Sequence, residues 1–168
     1  MVRIVTDRAA DIPKEIAEEL DIKIIPFMIN VDGKQIVADI NMSAEDFYEI
    51  IEHSSEIPTT GQMSPVEVEN VYREIGPGDE IIHITMSAKG SGLNNTSNMV
   101  ARQLRDEGYD ITVIDSGKFT MIIGYAVILA AKMAREGKSK QEIIDTVTEI
   151  YDRDTAYFLV DDLTYLRK

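Results

Sequence analysis

Cysteine is absent from the 168 residues, which excludes a disulfide framework, a thiolate nucleophile and zinc–thiolate ligation and leaves stability to the apolar core. Histidine is nearly absent. His53 falls at the polar end of an expected helix and His83 inside the strand Ile81-Ile82-His83-Ile84, with no carboxylate pattern nearby that resembles a metal site, so both read as structural. Basic charge is also short, with 17 lysines and arginines against 30 aspartates and glutamates and a net charge of −13. That balance argues against nucleic acid as a partner and reads as a solvated, solubilising surface. No hydrophobic run is long enough to span a bilayer. The most apolar segment, Met121 to Ala131, meets Lys132 and Arg135 soon after, short of the about 20 apolar residues a spanning helix needs, so it reads as a buried helix without stable membrane insertion. Nor does a charged leader precede the first strand, and the expected location is cytoplasmic.

What is present is regular alternation. A chain of 168 residues suits one domain with a sizeable core. Arg3 to Thr6 reads as a buried strand, and Asp11-Ile12-Pro13 opens a helix through Leu20. Ile22 to Val31 is strand-like, and Asp32-Gly33 turns it back through Gln35-Ile36-Val37 as a hairpin at a sheet edge. Ser43 and Asp46 form a capping box before a helix that turns Phe47, Ile50 and Ile51 inward; Pro65 opens another with Val68, Val71, Tyr72 and Ile75 on one face. Glu80 to Thr85 and Ile111 to Ile114 are strands separated by a helix that stops at Gly108, and a capped helix starts at Ser139. Tyr157 to Val160 is expected as a last strand. The alternation predicts an α/β fold, a mostly parallel central sheet with helices on both faces and an edge β-hairpin.

In such sheets ligands lie beyond the carboxyl ends of the strands, where Asp7, the Ser87 to Asn95 turn and Asp115-Ser116 gather. The turn Thr85-Met86-Ser87-Ala88-Lys89-Gly90-Ser91-Gly92-Leu93-Asn94-Asn95-Thr96 joins a strand to a helix. The first amides of a helix lack intrahelical acceptors and carry partial positive charge, so an anion is stabilised there, with Ser87, Ser91 and Thr96 as added donors and Gly90 and Gly92 allowing close approach. An ordinary strand-to-helix connection uses the same residue types, and both readings stand on these residues alone. Ile57 to Ser64 is a second hydroxyl-rich loop with Thr59, Thr60 and Ser64.

Taken together, Ile4-Val5-Thr6-Asp7 with Ala9-Ala10-Asp11-Ile12-Pro13, Pro58-Thr59-Thr60 with Gln62 and Ser64-Pro65, Ser87 through Ser91-Gly92, Asp115-Ser116, and Asp162-Leu163-Thr164-Tyr165-Leu166 resemble the DegV family over the whole chain. The resemblance implies a bacterial fatty-acid-binding protein, non-catalytic and with no cofactor besides the bound fatty acid. It would present the acid to a separate kinase subunit that phosphorylates the carboxylate, and the acyl phosphate would feed phospholipid synthesis. Carried over by position, Thr60, Ser91 and Gly92 are implied as head-group contacts, with Arg8, Thr59, Ser64 and Ser116 as further candidates. Met28, Met86, Met121, Ile122 and Ile128 are candidates for acyl-chain lining. No metal site is implied.

This chain departs from the family pattern at Arg8, Gly61, Met63 and Gly90 to Asn95, where the family carries serine, serine, proline and a leucine-serine-glycine-threonine-tyrosine-glutamine turn. The family also continues beyond Lys168 into a second domain, so residues 1–168 are expected to be an N-terminal lipid-binding domain without it, with a partly open groove that a homo-oligomer would cover. Two other functions fit the residues. One is an enzyme acting on an anionic small molecule, with Asp7 or Asp115 as base and Ser91 as donor or nucleophile; the other is a regulatory interaction module.

Overall fold

Four strands and five helices carry the core, in a computed structural model that describes residues 1–61, 63–157 and 159–160. The parallel sheet contains β1 (Val2–Asp7), β2 (Lys23–Ile25), β6 (Glu80–Thr85) and β7 (Asp110–Asp115) in the order β2-β1-β6-β7. Strands β3 (Phe27–Val31), β4 (Lys34–Ala38) and β5 (Thr59–Gly61) make a separate antiparallel sheet, ordered β4-β3-β5. The helices are α1 (Lys14–Leu20), α2 (Ala44–His53), α3 (Pro65–Ile75), α4 (Leu93–Arg105), α5 (Met121–Arg135) and α6 (Lys140–Arg153), with a 3₁₀ turn at Arg8–Ala10.

Strand alternation divides the core between the two faces of the parallel sheet. Ile4, Ile82 and Ile84 pack with Ala17 and Leu20 of α1, Ile123, Ala126 and Val127 of α5 and Ile143, Val147 and Tyr151 of α6. Val5 and Ile81 turn the other way, onto Val68 and Tyr72 of α3 and Leu93, Val100 and Leu104 of α4. Capping boxes start α2 at Ser43, α3 at Ser64 and α6 at Ser139, each reciprocated by the acid three residues on. No described helix is long and apolar enough to cross a membrane.

The hairpin forms, but not as an edge of the parallel sheet. Pro26 carries no N–H for a ladder, and the expected single strand Ile22 to Val31 divides there into β2 and β3, which belong to different sheets. The second partner of β3 is β5, drawn from the expected loop at Ile57 to Ser64, with Asn30, Ile29 and Met28 opposite Thr59, Thr60 and Gly61. Helix α2 has no fully buried residue, because its inward side chains meet this small sheet instead of the main core. The expected last strand does not form at Tyr157, Leu159 or Val160, which are exposed and pair with no described strand; Phe158 and the motif at Asp162 to Leu166 lie outside the described residues.

His83 is fully buried on β6 and bonds the Tyr72 hydroxyl through Nδ1 at 2.6 Å, fixing α3 against the sheet. Burial pushes its pKa down to about 3, so the imidazole is neutral. Tyr72→Phe leaves one buried ring nitrogen without its partner and is expected to lower stability by about 1–3 kcal/mol in chemical denaturation. A change below measurement error would show that packing alone holds this pair.

Candidate functional site

Because β6 lies between β1 and β7, the turn leaving it emerges between two other strand ends. Three successive amides of that turn are held by its neighbours. Met86 N–H donates to Asp7 Oδ2 at 2.7 Å, Ser87 N–H to the Lys118 carbonyl at 3.0 Å and Ala88 N–H to Asp115 Oδ1 at 3.0 Å. Each carboxylate also closes its own strand-end turn, accepting Ala9 N–H (3.0 Å) at Asp7 and Gly117 N–H (2.9 Å) at Asp115. The turn closes on itself through Gly90 and Ser91 N–H, which donate to the Ser87 carbonyl at 2.9 and 3.1 Å. Beneath it Thr85 Oγ1 donates to the Ile114 carbonyl at 3.3 Å and accepts Asn94 Nδ2–H at 2.9 Å, tying the start of α4 to β6 and β7.

Asp7 is 2 % exposed, and burial pushes its carboxyl up to about 6 against the opposing pull of its two amide donors. Burial also raises the Asp11 carboxyl, partly offset by Arg8. The Tyr151 phenol, which donates to the Ile123 carbonyl at 3.4 Å, is pushed upward by burial and then by the Asp7 charge. Neither Asp7 nor Asp115 hydrogen-bonds Ser91 among the described residues.

The sites expected from sequence separate into those free to meet a ligand and those committed to local structure. Ser91 Oγ accepts Leu93 N–H at 3.1 Å, and its own proton has no acceptor among the described residues. Gly92 is the residue before α4 and offers no side-chain cap; its φ of −76° is open to any residue. Gly90 serves packing: a Cβ there would stand 2.8 Å from the ring of Phe119. Thr59 and Thr60 are exposed on β5, and Thr60 lies opposite Ile29, so it shares that face of the small sheet and opposes the face carrying Met28. Thr60 and Ser91 share no hydrogen bond among the described residues; Met28 of β3, the strand paired with β5, packs against the apolar cluster that includes Leu93.

Ser64 caps α3, accepting Glu67 N–H at 3.4 Å, and Ser116 is buried in its own turn, accepting Lys118 N–H at 3.1 Å. Of the lining candidates, Met86, Ile122 and Ile128 pack on the α1–α5–α6 side of the core, Met28 packs on the α3–α4 side, and Met121 is exposed. Arg8 is half-buried, with Nε donating to the Asp39 carbonyl at 3.2 Å and Nη2 to the Met42 carbonyl at 3.3 Å. Asn94 and Lys118 had no sequence signal as organisers of the turn, because their partners lie on neighbouring elements.

A family model described as "Uncharacterised protein, DegV family" matches residues 1–168. A DegV domain-containing protein of Caldanaerobacter subterraneus is 37% identical over 166 residues, 98% of this chain and 58% of its own. The crystal structure of DegV, a fatty acid binding protein from Bacillus subtilis, superposes with a TM-score of 0.90 at 30% identity, covering 99% of this chain and 59% of that one. A DegV family protein from Thermus thermophilus, described by its fatty acid binding, superposes with a TM-score of 0.78 at 25% identity over 90% of this chain and 53% of that one. The chain thus spans somewhat over half the length of these relatives.

Proposed function

Since the chain belongs to the DegV family, we propose that it binds a long-chain fatty acid, with the carboxylate held by Thr60 and the Ser91-Gly92 turn, and presents it to a separate kinase subunit. The observation that carries this reading is the turn between β6 and α4. Its Ser91 hydroxyl keeps a proton to donate, and the first turn of α4 has no side-chain cap from Gly92. A carboxylate satisfies both, through charge-assisted hydrogen bonds and the partial positive charge of the helix end. One carboxylate oxygen would stay open to take the γ-phosphoryl group of ATP on the kinase subunit, with ADP leaving. The chain contributes binding and orientation and no catalytic group, needs no cofactor beyond the acid, and works in the cytoplasm. A second copy covering apolar surface at the open site is part of the same proposal.

Native mass spectrometry of protein purified from bacteria tests the reading directly, with a bound long-chain acid as the expected result. Ser91→Ala removes one charge-assisted bond, so occupancy and acyl phosphate formation by the kinase subunit should fall roughly 10- to 100-fold. The melting temperature should stay within about 2 °C, because the lost hydroxyl caps only Leu93 N–H. Protein free of any long-chain acid would overturn the proposal, and an equal loss of binding and stability would make Ser91 a structural turn residue.

A further inference from the structure

A recess lined by no residue of the Ser91 turn lies between the small sheet and α2. It encloses about 290 Å³ and is lined by Phe27, Ile29, Ala38, Met42 and Phe47, with Arg8 and Asp11 among its polar groups. Its floor follows from strand pairing. Phe27 lies opposite Ala38 and alternates with Ile29, so one face of the hairpin supplies three apolar side chains, and α2 closes over them with Phe47.

Arg8 sets the chemistry of this recess. A guanidinium has five N–H donors, and here two go to neutral backbone carbonyls, of Asp39 and Met42, leaving Nη1 without a partner among the described residues. Arg8 forms no ion pair with a carboxylate among the described residues. The Asp39 carboxylate is already engaged by Asn41, accepting its N–H at 2.8 Å and its Nδ2–H at 3.1 Å. Asp11 lies at the exposed rim, near enough for Arg8 to lower its pKa without forming an ion pair. A half-buried cation with spare donors beside an aromatic and aliphatic wall is complementary to an anion carried on an apolar body. The volume is at the lower end of small-molecule pockets, about 300–1,000 Å³, which selects a compact ligand over a long acyl chain.

We propose that the Arg8 recess is a binding site for a compact monocarboxylate with an aromatic or short aliphatic body, its carboxylate on the Arg8 guanidinium and its apolar part between the hairpin and α2. The bound carboxylate takes the unpartnered donors of Arg8, and the ring or chain lies against Phe27, Ile29 and Phe47. Asp11 opposes the ligand's charge from the rim. None of the residues lining the recess belongs to the Ser91 turn, but Ile29 of its floor lies opposite Thr60, so the Ser91→Ala arm of the test separates this site from the fatty-acid reading.

The probe is 3-phenylpropionate, titrated by calorimetry into the 168-residue chain and its variants. The expected result is saturable one-to-one binding, weakened at least tenfold by Arg8→Ser and at least tenfold by Ala38→Leu, which fills the recess and leaves the guanidinium in place. Asp11→Asn should tighten it, and Ser91→Ala should leave it unchanged. Ala38→Leu guards against an Arg8 variant that disturbs the chain at Asp39 to Met42, and a melting curve checks each protein. Absence of saturable binding, indifference to either Arg8→Ser or Ala38→Leu, or loss in Ser91→Ala would each overturn the proposal. Because long-chain acid occupancy is read separately, failure here leaves the fatty-acid reading standing, and the converse holds too.

Discussion

Gly124→Ala should lower the melting temperature by roughly 2–8 °C, the response expected of a net loss of about 1–2 kcal/mol in a domain of this size. A Cβ at position 124 would lie 2.3 Å from the Ala10 carbonyl oxygen and 3.4 Å from Ile12 Cγ1. The nearer atom is backbone, and Ala10 is itself fully buried, so neither partner can rotate away. Either α5 slides off the sheet or the 3₁₀ turn at Arg8–Ala10 shifts. Overpacking of this kind typically costs 1–3 kcal/mol and occasionally more, and here it must exceed the about 1 kcal/mol that alanine gains over glycine in a helix interior. The consequence reaches function, because Arg8 belongs to the same 3₁₀ turn as Ala10 and Asp7 caps it. Gly78→Ala is the control: a Cβ there meets nothing within 4 Å, so its stability should change by less than about 0.5 kcal/mol. Equal melting temperatures for the two variants would refute the close packing of α5 on the 3₁₀ turn.

The second large effect is a dependence of stability on pH that a single substitution removes. The Asp7 carboxyl is raised from 3.8 to about 6 in the folded chain, chiefly by burial. Between these values the folded state binds more protons than the unfolded one, so stability falls as pH rises through that window and the loss is complete near pH 7. At 1.36 kcal/mol per pH unit the loss comes to about 3 kcal/mol. Asp7→Asn should abolish it. The asparagine carbonyl can still accept one of the two amides, from Ala9 or Met86, and the other is left facing an NH₂ group. Asp32, Asp39, Asp46, Glu107 and Glu142 have pKa values lowered chiefly by hydrogen bonds, so they add stability as pH rises through the acid range. Their slope is common to both proteins and cancels in the difference. Urea denaturation at steps from about pH 3 to pH 7 should show the advantage of the parent chain over Asp7→Asn shrinking by about 3 kcal/mol. A difference independent of pH would mean that Asp7 titrates like an exposed carboxylate.

Much of the site could be located from sequence because its landmarks follow strands directly. Asp7, Ser87 to Asn95 and Asp115-Ser116 were expected at one edge of the sheet, and there the amides of Met86 and Ala88 bridge β6 to the carboxylates of β1 and β7. The roles within that edge were less legible. Gly90 suggested room for a ligand, and the Phe119 ring occupies that side. Ser64 and Ser116 suggested ligand donors and instead satisfy their own backbone. A hydroxyl in a turn has the same sequence appearance whether it holds an anion or a neighbouring amide.

Sequence by itself determined whatever is decided within a few residues or by a repeating period. The reciprocal cap of Ser43 with Asp46, the turn at Asp32-Gly33 and the alternation of apolar strands with amphipathic helices all belong to that class. They specify an α/β fold because each acts against its own neighbours, whatever the rest of the chain does. Only the tertiary structure decided that Pro26 divides one strand between two sheets, that Thr59–Gly61 becomes the partner of β3, and that Arg8 points its donors at carbonyls of Asp39 and Met42. The Asp7–Met86 bond likewise joins residues 79 positions apart. Such pairings exist only once the chain is packed, when burial raises the penalty for every unpaired polar group and leaves few arrangements that satisfy them all.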